Sequence, residues 1–329
     1  MSYRFIVYGL CFFGICLSLA ANSTLDASEL QAKLSDDGKR VTVTVDGKLF
    51  AEYLTCSGVK PIIWPIIGPT GKRMTREYPM AKKAEYERDD HIHQRSMWFT
   101  HGNVNGINFW AESKRGKNMK ENAGEIKHRE FVKIESGKTA TIVVRNDWCK
   151  MADGTKICEE ETKITFGAND DNRWIDYDIT LKACDKPVTL GDDKEGCFGI
   201  RMAAPLKPDA KLGGILINSN GQKNSDAWGK SADWVDYSGK LGGDKVGISM
   251  MNHPSSFRYP THWHARTYGL CSANPFGLSF FEEGSGKNGA YTIPVGGSIK
   301  LSYRVLFHKG DVKEAKVDEA FKAYAKTTR

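Results

Sequence analysis

Residues 299–307 read Ile-Lys-Leu-Ser-Tyr-Arg-Val-Leu-Phe, with an apolar or aromatic side chain at every second position. This period of two is typical of a β-strand with one buried face, because successive side chains on a strand point to opposite sides. Two further stretches, 41–45 and 175–181, alternate in the same way. The repeated pattern predicts half-buried antiparallel strands along much of the chain.

Turn signals separate these runs. Asp37-Gly38, Asp46-Gly47 and Asp153-Gly154 each have the composition favoured at two-residue hairpin turns. The 33 glycines and 11 prolines supply further breaks. The sequence has neither a Gly-rich phosphate loop nor the strand and helix alternation of parallel α/β proteins, so the strands are expected to pair as antiparallel neighbours.

One helix is indicated, close to the C-terminus. Asp311 and Glu314 fit a capping box, and the residues after them place apolar side chains on one face, at positions Val317, Ala320, Phe321 and Tyr324. We therefore predict an all-β fold, a large antiparallel β-sandwich with a C-terminal helix. Residues 22–329 are expected to form it as one domain, since no linker-like change of composition divides them.

Residues 1–21 have the order of a secretory signal peptide. A single charge, Arg4, precedes an apolar run from Phe5 to Leu19, and small residues close the segment at Ala20 and Ala21. The run is shorter than the ~20 residues that span a bilayer, which disfavours a membrane anchor. The chain is therefore predicted to be periplasmic or secreted, with no membrane span; lipid attachment at Cys16 is an alternative.

The charge pattern argues against a nucleic-acid partner. The formal net charge is +7, and removal of Arg4 with the signal peptide leaves +6, spread without blocks of Lys or Arg. A nucleic-acid-binding surface usually shows clustered basic residues. A solvated surface of mixed charge is the simpler interpretation.

Six of the eight cysteines remain after such a cleavage, and in an exported protein they invite disulfides. Cys149 and Cys158 stand symmetrically about Asp153-Gly154. With a two-residue turn at that dipeptide, the two cysteines would face each other across the hairpin at a separation that a disulfide accepts. The spacing predicts a Cys149–Cys158 bond; the pairing of the other four stays open.

Histidines concentrate in two distant blocks. The first runs from Asp90 to Gly102 and contains His91, His93, Arg95, Trp98 and His101. The second runs from His253 to Arg266 and contains His253, His262, His264 and Arg266. If each His-x-His pair lies on a strand, its two imidazoles share a face. Two such faces meeting would form a site.

These blocks resemble the PmoA-like family of exported bacterial proteins. The likeness rests on residues 90–110, on Asn252-His253-Pro254, and on the stretch from Trp263 to Gly277. Family members usually carry Asp-His-Pro-His-His-Arg-Gly-Leu-Trp in the first block, so His91, His93, Arg95 and Trp98 are the positions that carry over. The resemblance implies a galactose-mutarotase-like supersandwich and a role in carbohydrate breakdown.

The residue types suit a sugar site. Aromatic rings can cover pyranose faces, amides can bind hydroxyls, arginines can hold a carboxylate, and imidazoles can exchange protons near neutral pH. The predicted catalytic residues are His91, His93, His101, His253 and His264. The predicted substrate-binding residues are Arg95, Trp98, Trp110, Arg266 and Asn274. We expect them in one cleft walled by Trp98 and Trp110, with His262 at its rim or on the opposite face.

Several functions fit these residues. Glycosidases use two carboxylates flanking the bond, and no acid stands amid the histidines, which favours a lyase or isomerase acting on a sugar, including an acidic one. No cofactor is expected for that chemistry. One alternative is a metal-dependent hydrolase or oxygenase with a divalent metal on His91, His93 and His264. A non-catalytic glycan-binding module is the other.

Overall fold

The computed structural model describes residues 1–3, 28–113 and 120–329 of the chain. All but the first three residues of the predicted signal peptide lie outside these ranges.

The described chain is built from strands joined mostly by turns and loops. The first nine strands are β1 (Leu30–Leu34), β2 (Arg40–Val45), β3 (Lys48–Ser57), β4 (Lys60–Ile66), β5 (Met97–His101), β6 (Gly124–Glu135), β7 (Ala140–Lys150), β8 (Lys156–Ala168) and β9 (Asn172–Lys182). Then follow β10 (Val188–Leu190), β11 (Gly196–Arg201), β12 (Ile215–Asn218), β13 (Trp234–Leu241), β14 (Asp244–Asn252), β15 (His262–Trp263), β16 (Leu270–Asn274), α1 (Leu278–Phe281), β17 (Tyr291–Ile293), β18 (Ser298–Lys309) and α2 (Val317–Tyr324). Three short 3₁₀ helices occupy Ala204–Leu206, Pro208–Ala210 and Asn224–Ala227.

Two eight-stranded sheets form the sandwich. The front sheet has the order β1-β2-β3-β4-β5-β11-β16-β15, and the back sheet has the order β12-β13-β14-β18-β9-β8-β7-β6. Neighbouring strands in both sheets pair antiparallel. The fold class predicted from the sequence, a large antiparallel β-sandwich with a C-terminal helix, is confirmed.

The apolar positions of the alternating strands meet between the sheets. Val41 and Val43 of β2, Ile175 and Ile179 of β9, and Leu301 of β18 are all buried in one continuous core. Each such side chain contributes roughly 1.5–3 kcal/mol when it leaves water. The strands predicted at 41–45, 175–181 and 299–307 are therefore confirmed, together with the face that each one buries.

The front sheet also carries apolar residues on the side that faces away from the back sheet. On β5, Phe99 belongs to the core between the sheets, whereas Trp98 packs in a separate cluster with Trp110, Ile62 and Leu270. Successive residues of a strand point to opposite faces, so this second cluster marks the outer face of the front sheet. That face receives the histidine blocks.

The hairpin between β2 and β3 turns at the predicted dipeptide. Asp46 and Gly47 have φ values of 48° and 74°, and Val45 pairs with Lys48. Positive φ at both central residues is the requirement of the two-residue turn that matches strand twist.

The predicted Cys149–Cys158 disulfide is wrong. At Asp153-Gly154 the loop between β7 and β8 is longer than two residues, and the register shifts so that Cys158 pairs with Trp148 while Cys149 pairs with Lys156. Cys158 points into the core with Trp148, and Cys149, one residue further on, points to the other face of the hairpin. Both are free thiols.

The C-terminal helix packs on the back sheet. Asp311 and Glu314 form the predicted reciprocal cap, with the Asp311 N–H donating to Glu314 Oε2 at 2.8 Å and the Glu314 N–H donating to Asp311 Oδ1 at 3.0 Å. This cap closes a turn, and α2 itself begins at Val317. Its apolar face, which includes Phe321 and Tyr324, contacts Leu306 of β18 and Trp234 of β13.

Within residues 28–113 and 120–329, no helix has the length and apolar character that crossing a membrane requires.

The packing of α2 can be tested with a pair of neighbouring substitutions. Phe321 is buried against the back sheet, so Phe321→Ala should lower the free energy of unfolding by about 3–5 kcal/mol. Lys322 lies on the exposed face, and Lys322→Ala should change it by less than about 0.5 kcal/mol. Chemical denaturation of both variants measures the difference; equal effects would contradict the helix orientation.

Candidate functional site

Residues 67–96, between β4 and β5, bring the first histidine block onto the outer face of the front sheet. Arg201 of β11 reaches Asp90, the ring of His91 stacks on Tyr268, and His93 lies against Trp110. His91 and His93 are not on a strand, yet their ring centroids lie only 5.7 Å apart. The predicted proximity of this pair is present, although a loop produces it.

Asp90 is the charge centre of this region. Its Oδ1 atom accepts a hydrogen bond from Arg201 Nη2 at 3.2 Å and lies 3.7 Å from Arg76 Nη1, and its Oδ2 atom lies 3.2 Å from His91 Nδ1. Burial acts to raise the pKa of Asp90, but the positive charges of Arg201 and Arg76 and the contact with His91 outweigh it and hold the pKa below the ordinary value. Asp90 is therefore a carboxylate at neutral pH.

His91 combines this partner with solvent access. Its side chain is 43% exposed, and its ring is nearly parallel to Tyr268, with centroids 5.5 Å apart. Its backbone has a φ of 44°, in the left-handed region that side-chain-bearing residues rarely adopt. Strain of this kind is commonest at functional positions. Nδ1 lies 3.2 Å from the Asp90 carboxylate, and Nε2 makes no hydrogen bond to any residue that the structure describes.

His93 is a neutral imidazole beside this pair. Burial lowers its pKa to about 3, and the positive charge of Lys60 acts in the same direction. At neutral pH the ring carries one N–H donor and one acceptor nitrogen. It can therefore bind a hydroxyl but is a poor source of a charged acid.

The second histidine block contributes His264 and Arg266 to the same outer face. His264 Nδ1 lies 3.0 Å from the Lys194 carbonyl oxygen, and Arg266 Nε donates to His264 Nε2 at 2.9 Å. Burial lowers the pKa of His264 to about 3, and the charges of Arg266, Lys194 and His91 act in the same direction. Tyr268, two residues after Arg266, stacks on His91 and brings the two segments together.

Sequence reasoning missed Glu195, which precedes β11 on this side of the sheet. Burial raises its pKa, and the charge of Asp193 adds to this, while those of Lys194 and Arg266 oppose it. Its carboxylate makes no hydrogen bond to any residue that the structure describes. The sequence signal was the acidic run Asp192-Asp193-Lys194-Glu195, which lies far from both histidine blocks.

Sequence reasoning also missed two aromatic residues that lie against the arginines of this face. Tyr268 stacks on His91, and the guanidinium of Arg201 lies over the same ring, 4.6 Å from its centroid. Trp228 receives the guanidinium of Arg266 at 4.9 Å. Both rings are partly exposed, so they can present a flat surface to a ligand.

Arg95, Trp98 and Trp110 form a buried base beneath the loop, and the two tryptophans are not the walls of an open cleft. Arg95 forms a two-pronged ion pair with Glu112, at 2.5 and 2.9 Å. The buried ammonium of Lys60 completes the group, 3.2 Å from Glu112 Oε1, and burial lowers the pKa of Lys60 to about 8. Trp98 and Trp110 are almost fully buried, because they fill the apolar cluster between sheet and loop.

The structure places the remaining predicted site residues elsewhere. His101 is on the inner side of β5, where its Nε2 lies 2.8 Å from the Gly191 carbonyl oxygen. His253 lies at the end of β14 against Tyr324 of α2, and the amide of Asn274 donates to the carbonyls of Asp193 and Lys194. His262 lies on the outer face, 3.2 Å from Glu282. Alternation along β5 sends Trp98 outward and therefore His101 inward.

The candidate metal ligands are not grouped. Across the described part of the chain, no three His, Cys, Asp or Glu side chains lie close enough together to hold a metal ion. His91, His93 and His264 are engaged instead with Asp90, Trp110 and Arg266. The metal-dependent alternative therefore gains no support from the arrangement.

A family model described as a family of unknown function, DUF6807, matches residues 40–322. The chain belongs to DUF6807. The matched range includes both histidine blocks and most strands of both sheets. No curated protein matches this DUF6807 member in sequence.

Solved structures are similar at low identity. An α-galactosidase from Lactobacillus brevis has a TM-score of 0.41 and 9% identity, over 88% of this chain and 40% of that one. A galactose mutarotase-like protein from Clostridium acetobutylicum has a TM-score of 0.40 and 10% identity, over 85% of this chain and 98% of that one. A β-arabinopyranosidase has a TM-score of 0.33 and 11% identity, over 86% and 38% of the two chains. This DUF6807 chain thus spans well under half the length of both glycosidases.

The neutral state of His264 predicts a pH dependence of stability. Its pKa is about 3 in the folded protein and about 6.5 in the unfolded chain, so the unfolded state binds the proton more readily. The free energy of unfolding should be fully maintained above about pH 6.5 and fall as the pH drops towards 3, by at most about 1.4 kcal/mol for each pH unit. Replacement by Gln should remove this contribution.

Denaturation of wild type and His264→Gln between pH 7 and pH 4 measures the effect, and the two stability curves should converge on acidification. Phe281→Leu is the matched control, because Phe281 contacts the same imidazole but does not titrate. Its curve should run parallel to wild type. Parallel curves for His264→Gln would show that His264 is not a buried neutral group.

Proposed function

We propose that this protein is an exported carbohydrate-active enzyme, a lyase or isomerase that moves protons on a sugar at the outer face of the front sheet. The observation that carries the proposal is the Asp90–His91 pair. A carboxylate held ionised by two arginines contacts one ring nitrogen of a partly exposed histidine, and the other nitrogen makes no hydrogen bond to the described residues.

The pair has the elements of a general base. The carboxylate fixes the tautomer and orientation of the imidazole, and it stabilises the positive charge that the ring gains when it takes a proton. Because Asp90 keeps its own charge through Arg201 and Arg76, the proton accepted by His91 stays on the imidazole.

Glu195 supports a second proton-transfer role. Burial raises its pKa, so this carboxyl holds a proton at higher pH than an ordinary glutamate. In this proposal His91 acts as the base and Glu195 as the acid.

Partly exposed aromatic rings support a sugar as the substrate. Tyr268 stacks on His91 and Trp228 on Arg266, and both residues are partly exposed, so each ring lies beside a polar group near the surface. Pyranose rings offer both apolar faces and hydroxyls, and sites for such ligands combine flat rings with a few fixed polar groups. The resemblance to PmoA-like proteins supports the same class of substrate and the export of the chain.

Substitution of His91 tests this function. The protein is incubated with neutral and acidic oligosaccharides, and products are followed by ultraviolet absorbance for unsaturated sugars and by NMR for isomers. We expect turnover of one of them, and His91→Gln should lower it by about 100- to 10,000-fold, the usual contribution of a positioned base. The melting temperature should stay nearly unchanged, because 43% of the side chain is exposed and the residue lies in a loop outside the core.

His128→Gln is the matched control, since His128 lies on β6 of the back sheet, and it should keep full activity. Asp90→Asn should lower activity as well, and it should also lower stability because Arg76 and Arg201 lose their carboxylate. Binding of glycans without any conversion would favour the non-catalytic glycan-binding alternative. Full activity of His91→Gln would remove His91 from the mechanism.

A further inference from the structure

The arginines around the site differ in how their charge is compensated. Arg95 pairs with Glu112, and Arg76 and Arg201 share Asp90. Arg266 forms no ion pair with any carboxylate of the described residues. Its single side-chain hydrogen bond there goes from Nε to an uncharged imidazole, His264 Nε2. The positive charge of Arg266 is therefore fixed in place without a counter-charge in contact.

His264 holds this guanidinium in a defined orientation. Its Nδ1 donates to the Lys194 carbonyl, so Nε2 is the acceptor nitrogen and receives the Arg266 Nε–H. The backbone of Arg266 is held too, since its N–H donates to the Leu270 carbonyl at 2.7 Å and its carbonyl accepts from the Tyr237 hydroxyl at 3.0 Å. A long side chain fixed at backbone, Nε and ring face loses little further entropy on binding a ligand.

The unused end of Arg266 has the geometry of an anion receptor. With Nε engaged, the two Nη groups make no hydrogen bond within the described part of the chain. They form the end of a planar fork that matches the two oxygens of a carboxylate. The plane of the fork lies over Trp228, 4.9 Å from its ring centroid, so a sugar that places its carboxylate on the fork would lie beside an aromatic face.

The same histidine also anchors the backbone of a second cationic residue, Lys194. The Lys194 ammonium makes no ion pair with the described residues and lies over the ring of Phe280, at 5.6 Å. The Lys194 backbone is anchored by His264 and Asn274, which both donate to its carbonyl. Asp193 and Glu195 flank Lys194 in sequence, and neither forms an ion pair with its ammonium among the described residues.

We propose that Arg266 and Lys194 form a carboxylate-binding subsite, and that the substrate is an acidic sugar of the uronic-acid class. This inference rests on the proposed carbohydrate function, because it names the substrate of that same face. In it Arg266 is a specificity residue, and His264 is a positioning residue that orients Arg266 and keeps its charge uncompensated.

Calorimetric titration of the full chain tests the subsite. The probes are galacturonate and its short oligomers, the matching neutral galactose sugars, and galactose 6-sulfate. Wild type should bind the uronate at least about tenfold more tightly than the neutral sugar. Arg266→Gln should weaken uronate binding about 10- to 100-fold, as expected for the loss of charge-assisted hydrogen bonds, and should remove most of the preference over the neutral sugar.

Three further variants complete the design. Arg266→Lys keeps the charge but not the fork, so it should restore only part of the uronate preference. Lys194→Gln should give a smaller loss and leaves the His264–Arg266 contact in place, which keeps the test valid if an Arg266 variant folds poorly. Arg129→Gln, which removes a paired arginine from the back sheet, is the control and should bind like wild type.

The outcomes separate the two proposals. Equal affinity for uronate and neutral sugar, a preference that survives Arg266→Gln, or a preference for the sulfate over the uronate would each overturn the carboxylate subsite. Conversion of neutral sugars with no uronate preference would do the same and leave the proposed enzyme function standing. Uronate binding that depends on Arg266, without conversion of any sugar, would support the subsite and contradict the enzyme function.

Discussion

Contact between the two sheets is the constraint on which the rest of the structure depends. Side chains alternate along each strand. When a residue of the front sheet faces the core, the residues before and after it on the strand therefore face outward. Phe99 and Ile200 face the core, so Trp98 and Arg201 are directed to the other side. The candidate functional residues therefore lie on the face that does not contact the other sheet, and mutations there need not disturb the core.

The outer face carries charged side chains that are partly buried, and these charges need partners. Burying an unpaired charge is costly, and a buried ion pair adds little to stability beyond avoiding that cost. A compact group of paired charges lies under the loop and consists of Lys60, Arg95 and Glu112. Asp90 is the charged partner of both Arg76 and Arg201, and it also orients His91. One carboxylate thus joins the stability of the loop to the placement of the exposed imidazole.

Sequence patterns predicted the strands well because burial alone sets their period. They also predicted the capping box and the apolar face of α2, which depend on residues a few positions apart. The prediction of a Cys149–Cys158 disulfide failed because one shift of register in the hairpin places the two sulfurs on opposite faces. Such a bulge has no reliable sequence signal.

The site was predicted in part, for reasons that can be named. His91 and His93 lie close together, but a loop with a left-handed residue produces the proximity that a strand was expected to give. His101 shares their stretch of sequence and still faces the core, because the chain has entered β5 by that point. Trp98 and Trp110 are buried in the packing between sheet and loop. The partly exposed rings are those of Tyr268 and Trp228 instead. Contacts between distant segments decide these placements.

Composition gives the least information about which side chain contacts Arg266, and in the structure that side chain is His264. An aspartate in the place of His264 would hold the guanidinium as firmly, but the pair would be neutral and would attract no anion. A histidine with its pKa lowered to about 3 gives the same fixed geometry without a counter-charge at neutral pH. The low pKa is itself maintained by Arg266 and Lys194, whose positive charges disfavour a third one. Burial of His264 therefore preserves an uncompensated cation on the outer face, and this is the condition that an anion-binding site requires.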